Sequence, residues 1–146
     1  MSDFRPLTAD ILASPQITTG DLVEASQLGI TLVINNRPEG EAADQTPGEE
    51  IAEAARAAGL DYRAIPIDHA GFSMTQVDAM VDALDSTQGK VLAYCRSGTR
   101  STLLWALAMA SRGEDVDALA GAAAAAGYDL SPLRAAMERL SAQAPR

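Results

Sequence analysis

The stretch Val91-Leu92-Ala93-Tyr94-Cys95-Arg96-Ser97-Gly98-Thr99-Arg100-Ser101-Thr102-Leu103-Leu104-Trp105 decides the fold. It opens on a short apolar run of strand-forming residues. It closes on the start of a segment, Ser101 to Arg112, that is apolar nearly all round. A strand feeding an enclosed helix in this way points to a buried sheet covered by helices. Between the two lies a six-residue loop, Cys95 to Arg100, holding the chain's one cysteine and two arginines.

The same alternation continues outward. Val33 and Ile34, with Leu32, form a β-rich run bounded by Gly29 and by Asn35-Asn36, and Ala64-Ile65-Pro66-Ile67 reads similarly. Helical patterns cover Thr19 to Leu28, Pro47 to Ala58 and Ser73 to Leu84. Thr18 or Thr19 and Ser73 suit N-caps, while Gly29 and Gly59 suit left-handed stops. Beyond the central helix, Asp115 to Ala126 and Ser131 to Gln143 predict two more helices, separated by Gly127-Tyr128-Asp129, with Pro132 placed for a first turn. The order predicts an α/β three-layer sandwich built on a parallel sheet, with a helical C-terminal third. At 146 residues, without repeats or a linker, the chain is expected to form a single domain over residues 1–146.

Hydrophobic residues make up 47% of the chain and supply a full core, although its aromatics are only two Phe, one Trp and three Tyr. The net charge of -9 disfavours nucleic acid and anionic membranes as partners. The longest apolar stretch, Thr102 to Ala110, is less than half of the roughly 20 residues a membrane span needs. Met1-Ser2-Asp3-Phe4-Arg5-Pro6 lacks the basic and apolar regions of a secretory signal, so a cytoplasmic location is expected. With one cysteine and one histidine, no internal disulfide or structural metal site is expected, and the chemistry below needs no cofactor.

Only the thiolate form of cysteine is a good nucleophile, so the loop must stabilise an anion. The amides of Arg96, Ser97, Gly98 and Thr99 can converge as donors beside the positive end of the following helix. Gly98 permits a positive φ, and Arg100 offers a planar fork to an oxyanion. From Ser86 to Gly113 there is no acidic residue, which makes the loop locally positive and predicts a small anionic substrate. Most lone cysteines are small core hydrophobes, but two arginines beside a core cysteine would be costly without an anion to meet.

Tyr94-Cys95-Arg96-Ser97-Gly98-Thr99-Arg100-Ser101, with Val33-Ile34-Asn35-Asn36-Arg37-Pro38 upstream, resembles the phosphatase-like domain family of beta-lactamase hydrolase-like proteins. The resemblance spans nearly the whole chain and implies a fold like that of protein tyrosine and dual-specificity phosphatases. Some members of the family are described as sulfur transferases. By this resemblance Cys95 is the nucleophile, Arg100 the anion-binding arginine and Ser101 the hydroxyl that follows it. Two departures stand out: four residues, not five, separate Cys95 from Arg100, and Tyr94 replaces the histidine usual before the cysteine. The shorter loop resembles that of rhodanese-type sulfurtransferases.

Asp68 follows a predicted strand and resembles in placement the general acid of dual-specificity phosphatases; a solvated loop aspartate is the competing reading. His69 could share that role. Asn36 and Arg37 close the Val33 strand and are expected to line the pocket, with pairing of Arg37 to Glu39 or Glu41 at the surface as the alternative. Pro38 to Pro47 reads as an exposed, mobile rim. The leading functional expectation is sulfur transfer through a Cys95 persulfide, taking thiosulfate or a small persulfide as donor. The second is hydrolysis of a phosphate ester through a cysteinyl-phosphate, with Asp68 as acid. The third is a non-catalytic loop that binds anions or senses oxidants.

Overall fold

Strand β5 (Lys90–Tyr94) occupies the middle of a five-stranded sheet because its side chains are apolar on both faces. A computed structural model describes residues 2–68 and 70–144. The other elements in chain order are β1 (Arg5–Pro6), β2 (Ile11–Ser14), α1 (Asp21–Gln27), β3 (Ile30–Asn35), α2 (Gly48–Ala57), β4 (Asp61–Ala64), α3 (Met74–Asp85), α4 (Thr99–Ser111), α5 (Val116–Ala125) and α6 (Arg134–Ala142). The strand order is β1-β2-β5-β3-β4, parallel throughout except for the antiparallel edge pair β1 and β2.

Successive side chains of a strand point to opposite faces, and β5 feeds two cores in this way. Val91 and Ala93 join the core made with α3, α4, α5 and α6, whereas Leu92 and Tyr94 join the core made with α1 and α2. The expected three-layer arrangement and helical C-terminal third are therefore present. Helix α4 is enclosed as its composition predicts, with Leu104, Trp105 and Leu107 buried among α3, α5, α6 and the sheet.

Three local expectations need correction. Strands β1 and β2 were not anticipated: Ile11-Leu12-Ala13-Ser14 is too short to show a period, and its strand character comes from pairing with β5. The strand expected at Ala64 to Ile67 instead spans Asp61 to Ala64. Pro66, which has no N–H to donate, stands between two residues that both reach the end of β3, so its missing donor falls on the open side of this edge strand. Ile65 and Ile67 still give their N–H groups to the carbonyls of Asn35 and Asn36, at 2.8 and 2.9 Å. At α1 the cap is Gly20, not Thr18 or Thr19, and the Asp21 carboxylate instead accepts from the Thr18 N–H at 2.8 Å. The segment before α6 holds a 3-10 turn, Ser131–Leu133, carrying Pro132 at its start.

Ser73 caps α3 as expected, and its partner Gln76 completes a capping box. Gln76 Nε2 also donates to the Pro66 carbonyl at 3.1 Å, tying the helix start to the segment that leads into Asp68. Replacing Ser73 by Ala should lower stability by about 1 kcal/mol, read as a fall in the urea midpoint at constant slope.

Candidate active site

Parallel strands open towards ligand at their carboxyl ends, and the Cys95 loop leaves the sheet there. Neighbouring strand ends pin it: the Cys95 N–H donates to Ser14 O at 3.3 Å, Gln16 N–H to Arg96 O at 3.2 Å, and Asn36 N–H to Tyr94 O at 2.8 Å. Gly98 then turns the chain with φ +92°. Its N–H donates to Cys95 Sγ at 3.1 Å. Its carbonyl accepts from Thr102 N–H and Oγ1, at 3.0 and 2.8 Å, which starts α4. A Cβ at Gly98 would be strained at this φ, would collide with the Tyr128 hydroxyl and would sit 3.2 Å from the Ser14 carbonyl carbon.

Arg100 is held by two acceptors from other segments. Its Nη1 donates to Glu41 Oε2 at 2.7 Å and to Ile67 O at 2.8 Å, and its Nη2 donates to Glu41 Oε1 at 2.7 Å. Both Nη1 hydrogens and one on Nη2 are thereby used, so the Nε edge of the guanidinium is the edge available to a ligand. The Glu41 hydrogen bonds raise the Arg100 pKa above its ordinary value against the effect of burial, and the nearby Cys95 acts in the same direction. Glu41 also accepts from Arg37 Nε at 2.9 Å. The guanidinium of Arg100, helped by that of Arg37, lowers the Glu41 carboxyl from 4.5 to about 2.

A cavity of about 340 Å³ is lined by Glu41, Asp68, Arg96 and Arg100. Asp68 and Arg96 are thus brought together with Arg100, although 27 positions separate Asp68 from Cys95 in the chain. Asp68 Oδ1 accepts from Ala70 N–H at 2.8 Å, so the residue also caps a turn. Ser97 and Thr99 are exposed on the loop and joined through their hydroxyls at 2.9 Å. Cys95 and Gly98 are enclosed. His69 lies outside the described residues.

The other expected pocket residues are placed differently. Asn36 is fully buried and bridges strand ends, with Nδ2 donating to Ile65 O at 2.9 Å. The Arg37 side chain is only 4% exposed and is spent on Glu41 and on Gln16 Oε1, so its pairing with Glu41 is an interior contact, not a surface one. Ser101 is enclosed, and its Oγ has no hydrogen-bond partner among the described residues. None of the three borders the cavity. Tyr94 turns into the α1 and α2 core, where burial pushes its phenol well up; it therefore cannot play the part of a titrating group beside the thiol.

The rim is exposed at Glu39, Gly40, Ala43, Asp44 and Pro47, as expected, and hydrogen bonds tie it together. Glu39 Oε1 accepts from the Gly48 N–H at 2.9 Å, and Gln45 links Glu41 N–H to Pro38 O, both at 2.9 Å. Glu41 is the residue that sequence reasoning undervalued. The sequence holds only an indirect cue that does not single Glu41 out: with no acidic residue between Ser86 and Gly113, an intramolecular partner for Arg100 can come only from another segment.

Comparison with known proteins agrees with this geometry. The model of the phosphatase-like domain of beta-lactamase hydrolase-like proteins matches residues 3–112. The chain belongs to this family. A beta-lactamase hydrolase-like protein of Xylella fastidiosa strain 9a5c is 34% identical over 137 residues, which cover 91% of this chain and 31% of that one. Its counterpart in Agrobacterium fabrum is 31% identical over 139 residues, with 92% and 31% covered. The chain therefore spans about a third of the length of these relatives. Among solved structures, a candidate phosphatase from Neisseria meningitidis superimposes with a TM-score of 0.84 at 30% identity, covering 96% of this chain and 99% of that one. The phosphatase Tk-PTP in its active form gives 0.74 at 17% identity, covering 97% of each chain, a likeness of fold alone. The phosphatase-like character is thus shared with these relatives, while the expectation of sulfur transfer finds no support among them.

Glu41→Gln tests the ion cluster. Glu41 and Arg100 are only partly buried, so losing the charge should cost less than in a fully buried pair, about 1 to 2 kcal/mol, and the variant should melt a few degrees lower at neutral pH. Because the folded carboxyl ionises near 2 and not near 4.5, the stabilisation is complete above about 4.5 and fades as pH falls towards 2. The melting difference between the two proteins should shrink across that window; a constant difference would show that the charge of Glu41 is not what stabilises.

Proposed function

We propose that the chain is a cysteine-dependent phosphatase acting on small phosphate monoesters. The observation that carries this reading is that Asp68 lines the same cavity as Arg96 and Arg100. Sulfur transfer does not require an acid beside the anion site, whereas release of an alcohol does. The family to which the chain belongs supports the same choice.

In this mechanism the Cys95 thiolate, stabilised by the Gly98 N–H, attacks phosphorus as the ester oxygen departs, forming an S–P bond and breaking an O–P bond. Asp68 donates its proton to the departing oxygen. The free Nε edge of Arg100 and the loop amides hold the equatorial oxygens, where charge gathers in the transition state. Water then attacks the cysteinyl-phosphate, the Asp68 carboxylate takes its proton, and phosphate and the thiolate are released. Cys95 is enclosed and does not itself line the cavity, so this mechanism requires the substrate to reach the sulfur past the cavity wall that Arg96 and Arg100 form.

The test follows phosphate release from para-nitrophenyl phosphate and from an alkyl phosphate, with thiosulfate and glutathione persulfide as sulfur donors in parallel. Cys95→Ser should abolish phosphate release. Asp68→Asn should lower kcat by about a hundredfold or more on the alkyl ester, and less on the nitrophenyl ester, whose oxygen leaves without a proton. Arg100→Lys keeps the charge but loses the planar fork, and should raise KM and lower kcat together. Cys95-dependent sulfur transfer without phosphate release would overturn the proposal.

A further inference from the structure

Tyr128 lies between α5 and α6, outside residues 3–112 that define the family match, yet its hydroxyl reaches the Cys95 loop. It donates to the Ser97 carbonyl at 3.1 Å. The N–H of the same peptide unit, that of Gly98, donates to Cys95 Sγ at 3.1 Å. In a planar trans peptide the C=O and N–H point in opposite directions, so fixing the carbonyl outward fixes the N–H inward. We propose that Tyr128 is a positioning residue for the nucleophile, acting through the Ser97–Gly98 peptide. Its value to catalysis rests on the phosphatase reading; its effect on the thiolate does not.

An external hold is needed at this point. Gly98 sits at φ +92°, and glycine passes between positive and negative φ with little steric cost, so this peptide is the one in the loop most easily turned over. Turned over, it would aim a carbonyl oxygen at the thiolate in place of an N–H, replacing an attractive contact with a repulsive one. Tyr128 opposes this in two ways: its hydroxyl binds the outward carbonyl, and the same oxygen fills the space that a side chain at position 98 would occupy.

Tyr128 is itself held rigidly. Its side chain belongs to the larger core, and its N–H donates to Ala123 O at 2.8 Å. The guanidinium of Arg5 lies 5.2 Å from the ring centroid. Arg5 in turn donates to Ala126 O at 3.4 Å. Burial raises the phenol above its ordinary value, so it remains a donor across neutral pH.

The test is the pH profile of Cys95 alkylation by iodoacetamide, which is independent of any turnover. Tyr128→Phe keeps the ring and removes the hydroxyl, and should move the midpoint of the profile upward by roughly half to one pH unit. kcat/KM for phosphate release should fall about tenfold. Leu119→Ala, 4% exposed on α5 and outside the hydrogen bonds of the loop, is the stability control. It should lower the melting temperature at least as far while leaving the midpoint in place. An unmoved midpoint in folded Tyr128→Phe overturns the proposal. If that variant does not fold, 3-fluorotyrosine introduced at position 128 alone, a stronger donor of nearly the same shape, must move the midpoint downward; no movement again overturns it. A shifted midpoint in a protein without phosphatase activity would uphold the positioning role and remove the phosphatase reading.

Discussion

The hydrogen bond from the Gly98 N–H to Cys95 Sγ closes the turn between the central strand and the central helix, and the sheet and the α4 layer meet at it. β5 can end there only because β2 and β3 hold its last residues. α4 can begin there only because the Gly98 carbonyl is free for Thr102. The same turn that fixes the fold aims a donor at the sulfur. A substitution that disturbs it cannot be confined to chemistry or to stability, and Gly98 is doubly constrained, by its positive φ and by the Tyr128 hydroxyl occupying the space a Cβ would need.

Electrostatics around the loop differ from what the charge pattern suggests. The acid-free segment from Ser86 to Gly113 reads as an open positive site, but Arg112 pairs with Asp85 and Arg100 with Glu41. Glu41 lies between two guanidinium groups. One of them, Arg37, is almost wholly buried and takes no part in lining the cavity. Arg37 contributes by making the Glu41 carboxylate affordable in a partly buried position, and Glu41 contributes by fixing the orientation of Arg100. Arg96, exposed on the cavity wall, has no ion-pair partner among the described residues and so remains the charge that an incoming anion meets.

The parts of the fold written in periodicity were legible: β3, β5 and the helices from α1 to α6 lie close to where apolar spacing, Ser73, Gly29 and Gly59 place them. β2 was not legible, because four residues between turns carry no period and its strand state is imposed by β5. The loop was legible residue by residue, since Cys95, Gly98 and Arg100 each have a local chemical reason to stand where they do. What the sequence could not reveal is what reaches the loop from afar. Glu41 arrives from a segment that reads as solvent-facing rim, and Tyr128 from a separator between two helices. Neither type of residue at such a place carries a local signature, and their partners are set by tertiary packing.

The loop's length gains its meaning from these distant partners. A cradle with four residues between cysteine and arginine has one amide fewer than the five-residue signature to which it is compared, and so fewer donors for three equatorial oxygens. A short loop can still serve phosphoryl transfer if each remaining donor is fixed in advance, because a misplaced donor can cost about a hundredfold in rate, on the order of what a missing one costs. Here the fixing is done from outside. Glu41 and Ile67 take three of the five N–H groups of Arg100 and leave the others on one edge, while Tyr128 commits the Ser97–Gly98 peptide to one orientation. The reduced count of donors is therefore set against reduced freedom in those that remain. On the phosphatase reading proposed above, loop length by itself does not decide between a single sulfur atom and a tetrahedral phosphoryl group; that reading rests on the orientation Glu41 and Tyr128 give to the remaining donors and on Asp68 in the cavity wall.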